Sequence, residues 1–158
     1  MVPLIVHLLS FFIMLYLGKL ASTNPSSELG FFQAGRTSIG VMFIVTGISH
    51  FALTESMVQM FPEFVPFKYE LVYLSGVFEV ICGSVLAINS KYNKSIGICL
   101  MLFLLFSLPL NINSAIQGTG LGAKGVSYLL FRVPLQIFWF AWLWFFTVRH
   151  PVNLPNPR

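Results

Sequence analysis

Charged side chains are scarce in this chain of 158 residues, of which 9% are charged and 56% are hydrophobic. Soluble domains carry about 25% charged residues, which cover the surface that faces water. A soluble enzyme, a nucleic-acid-binding domain and a disordered chain are therefore poor interpretations. The composition predicts an integral membrane protein, and its net charge of +4 is then a signal of orientation rather than of nucleic-acid binding.

Cysteine is also scarce, since the sequence contains two cysteines, Cys82 and Cys99. They form neither a CxxC pair nor a zinc-binding pattern. Their predicted depths in the membrane differ by about 9 Å, which is too far for a disulfide. We expect two small packing residues and no metal site. Motifs of the GxGxxG, P-loop, HExxH and GxSxG types are also lacking, so the sequence leaves open whether the protein is an enzyme.

Long apolar runs predict an all-α membrane protein with five spanning helices, each of roughly 20 residues. The first run covers residues 2–18 and carries no charge, so segment 1–21 is a retained transmembrane helix or signal anchor, with cleavage near Ala21 as the alternative. The other four helices form a membrane domain over residues 31–148. Their predicted cores are residues 37–54, 71–88, 95–116 and 126–148.

Polar segments separate these helices. Residues 22–30 form a linker, residues 89–94 a tight turn, residues 117–125 a glycine-rich loop and residues 149–158 a proline-rich tail. Residues 55–70 instead mix acids with Met and Phe, and two prolines stop a long helix there. This segment is either a short amphipathic piece in the headgroup layer or a simple loop with aromatic anchors.

Basic residues predict the orientation of the chain, because cytoplasmic loops carry an excess of Lys and Arg. With the N-terminus outside, the cytoplasmic side receives six of them and the outer side two, whereas the opposite orientation reverses this split. We therefore expect residues 149–158 to be a cytoplasmic tail in a cell membrane. The six are Lys19, Arg36, Lys91, Lys94, Arg149 and Arg158, and the two are Lys68 and Lys124.

Five polar residues from four of the predicted helices fall in the outer half of the membrane. Charged groups inside a membrane are costly and are candidates for function. A rise of 1.5 Å per residue places Glu79 about 12 Å deep and Arg132 about 9 Å deep. We expect these two to meet, either as a structural ion pair that fixes helix register or as part of a ligand site. The predicted cluster is His50, Glu79, Asn111, Arg132 and Gln136.

The helical faces agree with these depths. Small residues recur at helical spacing between Arg36 and His50, and a similar stripe of small residues carries Glu79. The polar side chains on these two stripes therefore point toward faces where helices pack. His50 is either a hydrogen-bonded residue near the headgroups or a proton-handling or ligand-binding group. Pro109 and Asn111 either bend their helix, with Asn satisfying freed backbone groups, or line a cavity.

Several short motifs, in their order along the chain, resemble those of the DoxX-like family of membrane proteins. The resemblance covers residues 36–147, and the N-terminal helix is an addition to the four helices of that family. The motifs are RTSIG at 36–40 with GISHF at 47–51, PEFVP at 62–66, SGVFE at 75–79, PLN at 109–111 and FRVPLQ at 131–136.

The resemblance implies a four-helix membrane bundle and, for function, a subunit of a membrane redox system such as thiosulfate:quinone oxidoreductase. We therefore expect a redox-associated accessory subunit that binds a quinone or another small amphipathic ligand in the polar cluster. A related eukaryotic branch acts in receptor assembly, which implies the alternative of a non-enzymatic assembly or stabilising partner of another membrane protein. The expected partners are the lipid bilayer and such a protein, but no nucleic acid.

Overall fold

Every regular element of the protein is helical in the computed structural model, which describes residues 2–21, 28–88, 91–122 and 125–150. This confirms the all-α prediction for those ranges. Most of the predicted linker at 22–30, part of the turn at 89–94, part of the loop at 117–125 and most of the tail at 149–158 lie outside them, while residues 28–30 of the linker begin a helix. The elements are α1 (Val2–Ala21), α2 (Glu28–Ala52), α3 (Thr54–Val58), α4 (Lys68–Ala87), α5 (Asn93–Gln117), a 3₁₀ turn (Gly120–Gly122), α6 (Val126–Leu143) and a π-helical segment (Trp144–Arg149).

Four of these helices are long and apolar enough to cross a membrane. They correspond to the four predicted core spans, and the π-helical segment completes the last one. The predicted fifth span is also a helix, α1, but its apolar part, Pro3–Lys19, is shorter than the other four. Membrane crossing by α1 therefore stays a prediction. The four spans are Gly30–Ala52, Lys68–Ala87, Asn93–Gln117 and Ser127–Arg149.

Helices α2 and α4 pack closely through glycine. A Cβ atom on Gly40 would lie 2.6 Å from the carbonyl oxygen of Gly83, and one on Gly47 would lie 2.7 Å from that of Gly76. Side chains at these positions would hold the backbones apart, and small residues are the usual means of close helix approach in membranes. The two predicted small-residue stripes are therefore confirmed as one helix–helix contact.

Helices α5 and α6 complete the bundle around an apolar core. Ile39 and Phe43 of α2 and Leu100 of α5 are almost fully buried in it. Cys82 belongs to this core, as expected for a packing residue, whereas Cys99 is exposed on α5, so the same expectation was wrong for it. Both cysteines are free.

The segment between α2 and α4 is a loop with exposed aromatic residues. Its helical part, α3, has five residues, and the rings of Phe64 and Phe67 are 85% and 75% exposed. The loop alternative thus describes this segment better than the amphipathic helix. It contacts the end of α5, where Asn113 Nδ2 donates to the Met60 carbonyl at 3.0 Å. We call this end of the bundle the acidic end because the loop and its flanks carry Glu55, Glu63 and Glu70.

Candidate functional site

His50 and Glu79 form an ion pair at the contact of α2 with α4. The Nε2 atom of His50 lies 3.7 Å from Oε1 of Glu79, and Glu79 is 6% exposed. The missing side chain of Gly76 permits this approach, since a Cβ atom there would lie 2.8 Å from the Cβ of His50. The glycine contact therefore determines where these two ionisable groups meet.

The other ring nitrogen of His50 fixes the orientation of the ring. Nδ1 lies 3.1 Å from the carbonyl oxygen of Val72 and 2.9 Å from Oγ of Ser75. A carbonyl oxygen only accepts, so Nδ1 carries a hydrogen when it bonds to Val72. Nε2 then faces Oε1 of Glu79 at 3.7 Å, which is beyond hydrogen-bond distance. The bonds of Nδ1 therefore orient the ring toward the carboxyl group.

Asn111 and Gln136 belong to a second polar group, between α5 and α6. The hydroxyl of Tyr128 donates to Oδ1 of Asn111 at 2.9 Å, and Nδ2 of Asn111 donates to the Ser107 carbonyl at 2.9 Å. Nε2 of Gln136 donates to Oγ of Ser107 at 3.1 Å and to the Leu104 carbonyl. Asn111 thus bonds to the carbonyl of Ser107, whereas the carbonyl that Pro109 leaves without its helical donor is that of Leu105. The bonds of Tyr128 and Gln136 link the two helices.

Arg132 lies one helical turn from both Tyr128 and Gln136. Its guanidinium carbon stands 5.7 Å from the centre of the Trp139 ring. Arg132 therefore lies beside the second polar group, on the same helix as Tyr128 and Gln136.

The expected pairing of Glu79 with Arg132 does not form, because the ion pair of Glu79 in the described part of the chain is with His50. The physical reason is the glycine contact, which brings α2 closer to α4 than α6 is to α4. The structure therefore places His50 with Glu79 between α2 and α4. It places Asn111 and Gln136 in a separate hydrogen-bonded group between α5 and α6, with Arg132 beside them on α6.

Hydrogen bonding in this cluster is incomplete. Seven buried side-chain atoms among the described residues have no partner, and four of them lie here. Two are donors, Nε of Arg132 and Nε1 of Trp139, and two are acceptors, Oε2 of Glu79 and Oε1 of Gln136. Buried polar groups in folded proteins are nearly always paired with protein, water or ligand. The cluster could therefore hold a small molecule that both accepts and donates hydrogen bonds. Elsewhere in the described ranges, no three His, Cys, Asp or Glu residues come together as a metal site.

Arg36 is a buried residue that the sequence placed at a membrane edge, at the start of the small-residue stripe of α2. It is 3% exposed, and its Nη1 atom donates to the carbonyls of His150 at 2.9 Å and Phe146 at 3.3 Å. The last carbonyls of a helix have no partner within the helix, and a cation there is favourable. Arg36 therefore ties α2 to the end of the π-helical segment.

Replacing Arg36 by Met is expected to lower the free energy of unfolding by about 1.5–3 kcal/mol, the range for a hydrogen bond to a charged group. Reversible unfolding in mixed micelles, followed by tryptophan fluorescence, measures the loss. Lys91→Met is the control, because Lys91 is exposed and such surface changes stay within about 0.5 kcal/mol. Equal losses in the two variants would show that the Arg36 bonds contribute nothing.

His7 is the second buried residue that the sequence did not single out. It is fully buried, and its ring meets the edges of Trp142 and Phe138 at centroid distances of 4.6 and 5.8 Å. Serine at position 10 bonds to the Ser38 carbonyl at 3.3 Å. These contacts hold α1 against α2 and α6.

Residues 39–147 match a family described as "Domain of unknown function (DUF8561)". The chain belongs to this family. The matched segment exceeds half of the chain and contains all five residues of the predicted cluster, while α1 and Arg36 precede it. No curated protein and no solved structure matches the chain. The polar cluster is therefore a feature of the DUF8561 segment, and the contacts of α1 lie partly outside it.

Proposed function

We propose that this DUF8561 protein is a DoxX-like multi-pass membrane protein that binds a quinone, or another small amphipathic ligand, in the polar cluster. It acts as a redox-associated accessory subunit rather than as a complete enzyme. The observation that carries the proposal is the set of four unpartnered buried atoms, one on Glu79 of α4 and three on the α6 residues Arg132, Gln136 and Trp139. The resemblance of the sequence motifs to the DoxX-like family supports the redox association.

The chemistry of the unpartnered atoms supports a ligand with a carbonyl or hydroxyl head. Nε of Arg132 and Nε1 of Trp139 are available to donate to a ligand oxygen, while Oε2 of Glu79 is available to accept from a ligand hydroxyl. A quinone in its oxidised form offers the acceptors, and the quinol form offers the donors as well.

The distribution of basic residues supports an outer location for this site in a cell membrane. Arg36 and Arg149 lie at the end opposite to the acidic end, because Arg36 bonds to the His150 carbonyl. Cytoplasmic ends carry the basic residues, so this end faces the cytoplasm. The ion pair of His50 with Glu79 then lies on the outer side, near the acidic end.

The test is thermal stabilisation of the purified protein by a short-chain benzoquinone. A ligand that binds only the folded state stabilises it by about 2.7 kcal/mol at one hundred times its dissociation constant. We expect a rise in melting temperature for the parent protein and no rise for Arg132→Met, whereas Lys91→Met behaves like the parent. Solvent extracts of the purified protein should contain quinone. Extracts without quinone, together with no stabilisation, would refute the proposal and indicate a cluster that holds water alone.

A role as assembly partner of another membrane protein is the second candidate. The exposed rings of Phe64 and Phe67 favour it, because they project from the acidic end, and Phe67 has a positive φ of 53°. Such a strained backbone is retained where the surrounding structure requires it. Photo-crosslinking from position 64 in native membranes would recover one dominant protein partner. Recovery of lipid and abundant bystanders alone would count against this role.

A further inference from the structure

An aromatic groove runs along the outside of α6, remote from the polar cluster. It has a volume of about 410 Å³ and lies between Phe11 of α1, Phe31 of α2, Trp142 of α6 and Phe145 of the π-helical segment. All of its lining side chains are apolar except for the indole nitrogen of Trp142, which bonds to the Gly35 carbonyl at 2.9 Å. The groove lies within the last candidate span, at residues 138–146. It therefore opens toward the hydrocarbon of the membrane.

An exposed arginine follows the groove residues along the chain. Arg149 is exposed and lies four residues beyond Phe145, so both side chains point to the same side of the helix. Its guanidinium carbon stands 5.6 Å from the centre of the Trp144 ring. The end of the bundle that contains Arg149 also contains Arg36, Lys91 and Lys94, and we call it the basic end. An apolar groove with an exposed guanidinium at the same end of the bundle matches a molecule with an apolar chain and an anionic head.

We propose that the aromatic groove binds an anionic phospholipid from the leaflet at the basic end. One acyl chain lies across Trp142, and the phosphate lies beside Arg149. Basic sites next to membrane helices bind anionic headgroups, and each Lys or Arg near the surface favours them by about fivefold. Aromatic rings at the level of the headgroups are typical membrane anchors. The proposal is independent of the ligand of the polar cluster, since the groove shares none of its residues.

Quenching of tryptophan by brominated lipids tests this proposal. In the full chain with Trp144→Phe, the remaining indoles are Trp139, which is 2% exposed, and Trp142. The same protein with Trp142→Phe gives the background from Trp139, and the difference reports the groove. We expect brominated phosphatidylglycerol to displace unbrominated lipid about fivefold more effectively than brominated phosphatidylcholine.

Two charge variants locate the headgroup. Arg149→Gln is expected to reduce the preference for phosphatidylglycerol to near one. Lys91→Gln removes a charge from the same end but is expected to keep the preference. Lys91 precedes α5, and α5 contacts the π-helical segment at Thr147, on the side away from Phe145. Ala141→Leu fills the groove and should weaken quenching by both lipids. Equal quenching by the two lipids in the parent protein, or an undiminished preference in Arg149→Gln, would overturn the proposal.

Discussion

Gly83→Leu is expected to prevent assembly of the membrane domain, and Gly83→Ala to lower its free energy of unfolding by about 1–3 kcal/mol. The reason is backbone contact. A Cβ atom at Gly83 would lie 2.6 Å from the carbonyl oxygen of Gly40 and 3.0 Å from the backbone nitrogen of Ile44. Neither atom can move aside as a flexible side chain would, so α2 and α4 must separate. Their separation would also pull His50 away from Glu79.

Gly18→Ala is the matched control for this prediction. A Cβ atom at Gly18 meets nothing within 4 Å, and alanine favours a helix over glycine by about 0.5–1 kcal/mol. The two alanine variants should therefore change unfolding in mixed micelles in opposite directions. Size-exclusion chromatography of Gly83→Leu in mild detergent should show aggregate. A folded, monodisperse Gly83→Leu protein would mean that the two helices do not pack as described.

His50→Leu is expected to lower the free energy of unfolding by about 3–5 kcal/mol, the cost of removing one partner of a buried ion pair. Glu79 remains almost fully buried, and it would keep a carboxyl group with neither atom bonded, since Oε2 already lacks a partner. The loss should be measured by reversible unfolding in mixed micelles. This loss should exceed the loss in Thr46→Val. Thr46 is half-buried in the same helix, and its hydroxyl donates to the Phe43 carbonyl of that helix at 3.1 Å.

The double variant His50→Leu with Glu79→Leu separates an ion pair from simple packing. Replacing both partners of a buried pair by apolar residues is often neutral or stabilising. We therefore expect the double variant to be more stable than His50→Leu alone, with a positive coupling between the sites. Additive losses would indicate that the two side chains do not interact. The double variant should also lose stabilisation by benzoquinone even though it folds.

Much of the fold follows from local properties of the sequence. Charge-free runs determine the helices, and the spacing of Gly40, Gly47, Gly76 and Gly83 determines which faces of α2 and α4 meet. Helix ends were displaced by a few residues, as at α4, which begins at Lys68 instead of residue 71. Polar residues at headgroup level continue a helix while they interrupt the apolar pattern, so the pattern alone cannot locate the ends.

The candidate site was predictable in its residues and less so in its contacts. Depth along a helix follows from counting residues, which is why His50, Glu79 and Arg132 could be assigned to one level. The distance between helices depends on packing, and the glycine contact of α2 with α4 pairs Glu79 with His50 rather than with Arg132. The burial of Arg36 and its bonds to carbonyl groups were not predicted, because a basic residue near a helix end usually faces headgroups. Its burial depends on the π-helical segment, which no sequence pattern indicated.

The most direct test of the central claim is an infrared difference spectrum recorded when the short-chain benzoquinone is added to the protein in lipid. The claim is that the ligand enters the polar cluster, so that its head lies beside the unpartnered Oε2 of Glu79. We predict a carboxyl band in the difference spectrum of the parent protein that disappears in Glu79→Gln. A benzoquinone that binds but gives the same spectrum in both proteins would contradict the account.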